Sequence, residues 1–207
     1  MKKLLALLFS FFLLSSHSVF AEDLSDFQIE GTSIGDSLLD YMTEEEILEQ
    51  IELTKDWYSY LNEPNKYAEV YLYKNLKKYD GLSFFVKNTS TNEYITNKNE
   101  KYTILTVSGI IYYNEDFDSC IVKRDEIEAD LSKMFSYAQK TEADFITPND
   151  PSGESIVDGI YFTFDSGAEI DITCKNWKET FRIKNNFNEG LTVRIMTAEV
   201  DAWIRDY

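Results

Sequence analysis

Residues 156–174 read IVDGIYFTFDSGAEIDITC, and this stretch is the starting point for predicting the fold class. Two runs of alternating residues flank Asp165-Ser166-Gly167, whose glycine suits the left-handed position of a three-residue hairpin loop. The predicted register has three cross-strand pairs, Phe164 with Ala168, Phe162 with Ile170, and Ile160 with Ile172. This register gathers the large apolar side chains and Cys174 on one face. An antiparallel sheet with one apolar face is therefore expected.

A long amphipathic helix is predicted before the hairpin. Asp116 suits its N-cap, and apolar residues then recur at three- and four-residue steps as far as Ala138. We expect this helix to cover the apolar face of the hairpin, which would bring Cys120 close to Cys174. These are the only two cysteines, and in an oxidising compartment an even count predicts a disulfide. The bridge would close a loop of about 55 residues, for which the chain-entropy model gives roughly 4 kcal/mol.

The remaining strands are predicted from alternation and apolar runs. A four-stranded meander is expected from YAEVYLYK (67–74), GLSFFVK (81–87), EYITN (93–97) and KYTILTVSGIIYY (101–113), with a bulge at Gly109. Two more strands are expected at ETFRI (179–183) and LTVRIM (191–196), followed by a short helix capped by Thr197. The sequence thus predicts an α+β fold in which one long helix packs on antiparallel sheet.

Export is predicted from the N-terminus. Lys2 and Lys3 precede the apolar run 4–14, and Val19 and Ala21 suit a cleavage site after residue 21, which together predict a signal peptide over residues 1–21. The run is shorter than the roughly 18–20 residues needed to cross a bilayer, so no membrane span is expected. We place the protein in the periplasm or outside the cell. Residues 22–207 form one α+β domain, or two helix–sheet lobes divided near 114 or within 147–155.

The stretch IEGTSIGDSLLDYMTEEEI (29–47) contains two overlapping hydrolase patterns, G-x-S-x-G at 31–35 and GDSL at 35–38. Both require a histidine to activate the serine hydroxyl, and the single histidine, His17, lies in the predicted signal peptide. A serine esterase built on Ser37 is therefore excluded. The same residues predict a helix–turn–helix, in which Asp36 caps the first helix and Thr43 with Glu46 forms a capping box for the second.

Charge and residue types narrow the partners further. The formal charge is −17, and it becomes −19 once Lys2 and Lys3 leave with the signal peptide. An acidic surface repels DNA, RNA and anionic lipid, so nucleic acid is not expected as a partner. The simplest alternative is that this charge only keeps an exported protein soluble.

No catalytic, cofactor-binding or metal-binding residues are assigned from the sequence. Without histidine, carboxylates and carbonyls would favour Ca²⁺, and the candidate segments are NEDFD (114–118) and NDPSGES (149–155). Neither has the spacing of an EF-hand, and a solvated loop and a helix cap explain both equally. The aromatic residues that could contact a sugar or a protein are Trp57, Tyr58, Tyr60, Tyr67, Tyr71, Tyr73, Tyr112 and Tyr113.

Residues 29–41, together with the late segments WKETF (177–181) and GLTVRIMTAEVDAWI (190–204), resemble a group of small exported proteins from marine bacteria. That resemblance implies export but no activity. At the level of fold alone, the chain is similar to beta-lactamase-inhibitor-protein-like modules and outer-membrane-assembly lipoproteins, which bind proteins. We therefore expect a non-enzymatic module that binds a protein or a small ligand. The alternative is a carboxylate-based hydrolase of the glycosidase kind.

Overall fold

The structure is a computed structural model, which describes Leu24, residues 27–58, Leu61, residues 66–90, Asn92 and residues 94–206. The predicted signal peptide and Tyr60 lie outside these residues. The elements are α1 (Glu44–Thr54), β1 (Tyr67–Leu72), β2 (Gly81–Lys87), β3 (Ile104–Tyr112), α2 (Phe117–Met134), β4 (Gln139–Ile146), β5 (Ile156–Thr163), β6 (Glu169–Asn176), α3 (Glu179–Asn185), β7 (Gly190–Met196) and α4 (Ala198–Arg205). Short 3-10 helices occupy Leu38–Asp40 and Lys98–Glu100. The predicted α+β class is confirmed.

The strands form one antiparallel seven-stranded sheet in the order β1-β2-β3-β7-β6-β5-β4. The meander β1–β3 follows α1 along the chain, and the meander β4–β7 follows α2. The two meanders join where β3 pairs with β7 along residues 106–112. The strands that precede and follow residue 114, and those that precede and follow residues 147–155, therefore belong to the same sheet. These are the two places where the sequence suggests a division of the domain.

The predicted hairpin is present with the predicted register. Ile160 pairs with Ile172 and Phe162 pairs with Ile170. The backbone N–H of Phe164 donates to the carbonyl of Ala168 at 3.0 Å, and the loop residue Gly167 has φ +82°. The loop chemistry and the alternation of residues therefore specify the same pairing.

One face of the sheet, here called the packed face, holds the main core. Its fully buried residues come from all strands except β4, and examples are Val70, Phe84, Val107, Val193, Ile172 and Phe162. α1 packs beside β1, and α2 packs over β6 and β7 on this face. Burial of this apolar area, at about 25 cal/mol per Å², is the main source of stability. The opposite side of the sheet is called the open face.

The disulfide between Cys120 and Cys174 is present and ties α2 to β6 on the packed face. Cys120 and Leu131 are the fully buried residues of this 18-residue helix, whereas Val122 and Met134 are exposed. Asp116 caps the helix as predicted, because its Oδ1 accepts from the backbone N–H of Ser119 at 3.2 Å. None of the helices among the described residues is long and apolar enough to cross a membrane.

The N-terminal stretch differs from the predicted helix–turn–helix. Its first element is the 3-10 turn Leu38–Asp40, whose cap is Ser37 rather than Asp36. The carboxylate of Asp36 instead accepts hydrogen bonds from Ser33 N and from Tyr41 Oη. The capping box of α1 forms as predicted, with Thr43 accepting from the Glu46 N–H and the Glu46 carboxylate accepting from the Thr43 N–H.

Several strand predictions were wrong. Residues 94–97 form no strand, so the first meander has three strands. Residues 179–183 belong to α3, because Trp177 and Phe181 lie four residues apart and pack together with Phe187. β4 was not predicted at all. Gly109 lies in a regular part of β3, and the bulge lies between Phe85 and Val86 of β2.

Candidate functional site

One row of side chains crosses the open face on all seven strands. The cross-strand pairs place in this row Tyr71, Ser83, Ser108, Arg194, Asp171, Tyr161 and Thr141, in the order β1 to β4. Tyr71 lies at one end of the row and Tyr161 lies next to Thr141 at the other, and the two serines lie between Tyr71 and Arg194. The side chains in the middle of this row therefore project less far from the sheet than the aromatic rings on either side.

The neighbouring row contains Gly81, Ile110, Thr192, Thr173, Gly159 and Ala143, most of which are small. The two glycines of this row allow tyrosine rings to lie against the sheet. A Cβ at Gly81 would be 2.8 Å from Tyr73 Cε1, and a Cβ at Gly159 would be 2.5 Å from Tyr161 Oη. Each glycine therefore leaves room for a tyrosine ring to lie close to the backbone of the sheet.

These two rows enclose an open depression of about 340 Å³. Its lining includes Glu69, Tyr71, Tyr161 and Phe145, together with the hydroxyl and charged residues of the two rows. Tyr71 and Tyr73 stack on each other with ring centroids 6.0 Å apart and nearly parallel planes. The volume lies in the range of small-molecule sites, and the wide mouth also admits a protruding protein loop.

The centre of the depression holds an ion pair whose carboxylate is buried. Arg194 Nε donates to Asp171 Oδ2 at 2.6 Å, and the Asp171 side chain is only 2% exposed. The neighbouring carboxylate raises the pKa of Arg194, so the guanidinium remains charged. Burial raises the pKa of Asp171, while the hydrogen bond from Arg194 acts in the opposite direction. Asp171 therefore holds the Arg194 guanidinium in a fixed position at the bottom of the depression.

Glu69 is the second carboxylate of the depression. Its Oε1 accepts a hydrogen bond from Tyr71 Oη at 2.8 Å. Burial raises the pKa of Glu69, and burial together with the charge on Glu69 raises the pKa of Tyr71. Burial is the main cause that raises the pKa of Tyr73 and of Tyr161 to about 12. All three tyrosines therefore stay protonated at neutral pH, and Tyr71 already donates its hydroxyl proton to Glu69.

Lys175 adds a second cation at the rim. It forms no ion pair with the described residues, and its Nζ lies 5.2 Å from the centroid of the Trp177 ring. The surrounding sheet and the charge of Arg194 lower the pKa of Lys175. Lys175 and Arg194 balance Asp171 and Glu69, the two carboxylates of the depression, on a chain that is strongly acidic as a whole.

α4 closes one end of the open face. Val200 packs with Tyr67, Phe85, Leu105 and Met196 in a second, smaller apolar cluster. Between α4 and the depression lies a cavity of about 70 Å³ that shares Glu69, Ser83, Ser108 and Arg194 with the depression. Its wall includes the buried hydroxyl of Thr106, which has no hydrogen-bond partner within the described residues. The polar floor thus continues beneath the helix.

Ser37, the serine of the rejected esterase pattern, lies far from this face in a structural role. It is buried, its Oγ donates to the carbonyl of Lys101 at 2.8 Å, and the same oxygen accepts from Leu39 N. A hydroxyl held in this way caps the 3-10 turn and presents no nucleophile to solvent.

Carboxylates of the two candidate calcium segments form hydrogen bonds and an ion pair within the chain. Asp116 caps α2, and Glu115 pairs with Arg182 at 2.6 Å. Asp150 accepts hydrogen bonds from Ser152 Oγ and Ser155 Oγ, both at 2.6 Å. Across the described residues, no group of three or more His, Cys, Asp or Glu is placed to hold a metal ion.

Of the aromatic residues proposed from the sequence, the structure brings Tyr71 to the depression, and Tyr73 stacks on Tyr71. Trp57 lies beside them, with its ring centroid 5.5 Å from that of Tyr71. Tyr67 is instead buried under α4, where its ring packs edge-on against Trp203. The sequence did not reveal Arg194, Asp171 or Tyr161 as members of the site.

No protein-family model, curated protein or solved structure matches this chain. Function must therefore be inferred from the open face itself. The resemblances drawn from residues 29–41 and from the order of helices and strands stay expectations.

Proposed function

We propose that the protein is an exported, non-enzymatic binding module and that the open face is its binding surface for a protein partner. The observation that carries the proposal is the floor of small hydroxyl residues between Tyr71 and Tyr161, with Arg194 fixed at its centre by Asp171. Tyrosine and arginine are the residues that dominate binding energy at protein interfaces. The α+β architecture and the disulfide fit the predicted location in the periplasm or outside the cell.

The shape and chemistry of the face favour a convex loop as the bound element. The depression is open to solvent and about 340 Å³ in volume, so a few side chains can enter it. Tyr71 and Tyr161 offer rigid apolar surface with a hydroxyl at the tip, which orders few rotatable bonds on binding. Lys175, which forms no ion pair with the described residues, favours a partner that presents a carboxylate at this point, because the chain as a whole is acidic.

A matched pair of variants tests the proposal. Tyr161→Ala/Lys175→Glu removes an aromatic and a cation from the open face. Tyr94→Ala/Lys133→Glu makes the same changes at highly exposed positions outside it. The immobilised mature protein is incubated with the exported proteins of its source cells, and captured proteins are quantified by mass spectrometry.

We expect one protein to be captured equally by the wild type and the Tyr94/Lys133 variant, and at least about 10-fold less by the open-face variant. Equal capture by all three would contradict the proposal. Thermal-shift screening with sugars and peptides provides the second comparison. Stabilisation by a sugar that the Tyr161/Lys175 variant loses would assign the face to a small ligand instead.

A second candidate is a carboxylate-based hydrolase, which the raised pKa of Glu69 in the depression favours. The pairing of Asp171 with Arg194 weighs against it, because a two-carboxylate mechanism needs both acids available. Assays with glycoside substrates decide the matter. Hydrolysis by the wild type that Glu69→Gln abolishes would establish an enzyme at this face.

A further inference from the structure

The outer edge of the sheet at β4 is the second feature that suggests a partner. Every residue of β4 is exposed, although the strand pairs with β5 along its full length from Gln139 to Ile146. Phe145 and Ile146 at its end are 46% and 59% exposed. The outward backbone groups of β4 receive no hydrogen bond from the described residues. An edge of this kind is a template for another strand.

The opposite edge of the same sheet is protected. At β1, Thr54 Oγ1 donates to the carbonyl of Glu69 at 2.7 Å, and Gln50 Oε1 accepts from the backbone N–H of Tyr71 at 3.3 Å. Both side chains belong to α1, which therefore satisfies the edge of β1 at two positions. The helix of the second half, α2, packs over β6 and β7 and leaves β4 uncovered. The two edges of the sheet are thus built differently.

We propose that β4 pairs antiparallel with β4 of a second copy of the chain, about a two-fold axis that passes beside Thr141. This register follows from the charges on the strand. It places Lys140 opposite Glu142 of the second copy and Glu142 opposite Lys140, so two opposite-charge pairs form across the interface. The sheet then continues from one copy into the next.

Neighbouring two-fold registers that keep the same faces together are less favourable. An axis beside Glu142 forms two Lys140–Asp144 pairs but sets the Glu142 carboxylate against its own copy, and an axis beside Ala143 sets Glu142 against Asp144 twice. Of these three registers, only the axis beside Thr141 forms two opposite-charge pairs and no like-charge pair. Like charges directly opposite one another destabilise strand pairs. Within one chain Lys140 Nζ lies 2.9 Å from Glu128 of α2 and 3.4 Å from Glu142, so these charged side chains lie on the packed-face side of β4.

The dimer does not depend on the proposed function of the open face. It does extend that face, because Phe145 lines the depression and also belongs to β4. In the dimer the two open faces would lie on the same side of one continuous sheet.

Charge reversal gives a test that distinguishes this register from others. Lys140→Glu and Glu142→Lys each place like charges opposite one another at both positions, and each variant alone should be a monomer. Mixed in equal amounts, the two variants restore complementary charges at every position, so a heterodimer should form. The mature protein and its variants are compared by sedimentation velocity and by size-exclusion chromatography with light scattering. Lys133→Glu, a reversal on the exposed side of α2, serves as the control.

We expect the wild type and the Lys133 variant to dimerise with the same dissociation constant, and each β4 variant to raise it at least about 10-fold. A wild type that stays monomeric at millimolar concentration would overturn the proposal. Failure of the mixed variants to associate would also overturn it. A Thr141→Cys variant supplies a measurement that does not depend on charge.

In the proposed register the two Thr141 positions face each other directly, at a Cα separation of about 4.5–5.5 Å that a disulfide can span. Oxidised Thr141→Cys should therefore form a covalent dimer, detected by intact mass with the native disulfide retained. Ala143→Cys should not, because its partner position is 139. Equal cross-linking of both variants would contradict the register.

Discussion

Arg194 and Asp171 face one another across β7 and β6, with Nε donating to Oδ2 at 2.6 Å. Asp171 is buried, so removal of its partner leaves a carboxylate in the sheet without compensation. We expect Arg194→Met to reduce the free energy of unfolding by about 3 kcal/mol. The double variant Asp171→Asn/Arg194→Met should recover part of this loss, because no charge is then buried.

Urea unfolding of the wild type, both single variants and the double variant gives the coupling energy. The exposed pair Asp201–Arg205 on α4 provides the control, and Arg205→Met should cause no measurable change. Additive effects at Asp171 and Arg194 would show that the two side chains act independently and would contradict this account.

The disulfide between Cys120 and Cys174 links α2 to β6 on the packed face. Reduction, or Cys120→Ser/Cys174→Ser, should lower the free energy of unfolding by about 4 kcal/mol, as expected for the loop that the bridge closes. Thermal unfolding with and without a reductant measures the effect. The double serine variant should respond to the reductant no further, and a wild type insensitive to reduction would refute the prediction.

Gly190 begins β7 at the junction between the two meanders. A Cβ at this position would lie 2.1 Å from the carbonyl oxygen of Ile111 on β3, which is backbone and cannot rotate away. Gly190→Ala should therefore cost at least about 2 kcal/mol of stability. Gly159→Ala is the comparison, because its Cβ would meet only the movable end of the Tyr161 side chain. An equal loss in both variants would contradict this explanation.

The sequence predicted the hairpin of β5 and β6 because loop chemistry and alternation specify one register. It missed β4 because QKTEADFI is exposed on both sides and shows no apolar period. The segment ETFRI alternates like a strand, but contacts among Trp177, Phe181 and Phe187 favour a helix. Short segments of this kind are decided by tertiary contacts rather than by local preference.

The candidate site was only partly predictable for a related reason. Tyr71 and Tyr73 follow from the alternation within a single strand. The pairing of Arg194 with Asp171 depends on the register between β6 and β7, which are joined through α3 rather than by a tight turn. No residue pattern in the sequence specifies that register. The row across the open face therefore becomes visible only once all seven strands are aligned.

Glu69 offers a pH-dependent test of the open face. Burial raises its pKa in the folded protein above the usual value of 4.5, so folding with a charged Glu69 is penalised at neutral pH. Its contribution is most favourable below pH 4.5 and is lost as the pH rises through the folded pKa. Glu69→Gln removes the penalty and keeps an oxygen that can accept from Tyr71 Oη.

We therefore expect Glu69→Gln to melt at a higher temperature than the wild type at pH 7–8, with a difference that shrinks as the pH falls towards 4.5. Melting curves across this range check the prediction. Glu49→Gln, at an exposed position of α1, is the matched control and should show no such trend. A Glu69→Gln variant that is less stable than the wild type at pH 8 would mean that the carboxylate is stabilised by contacts stronger than its burial cost.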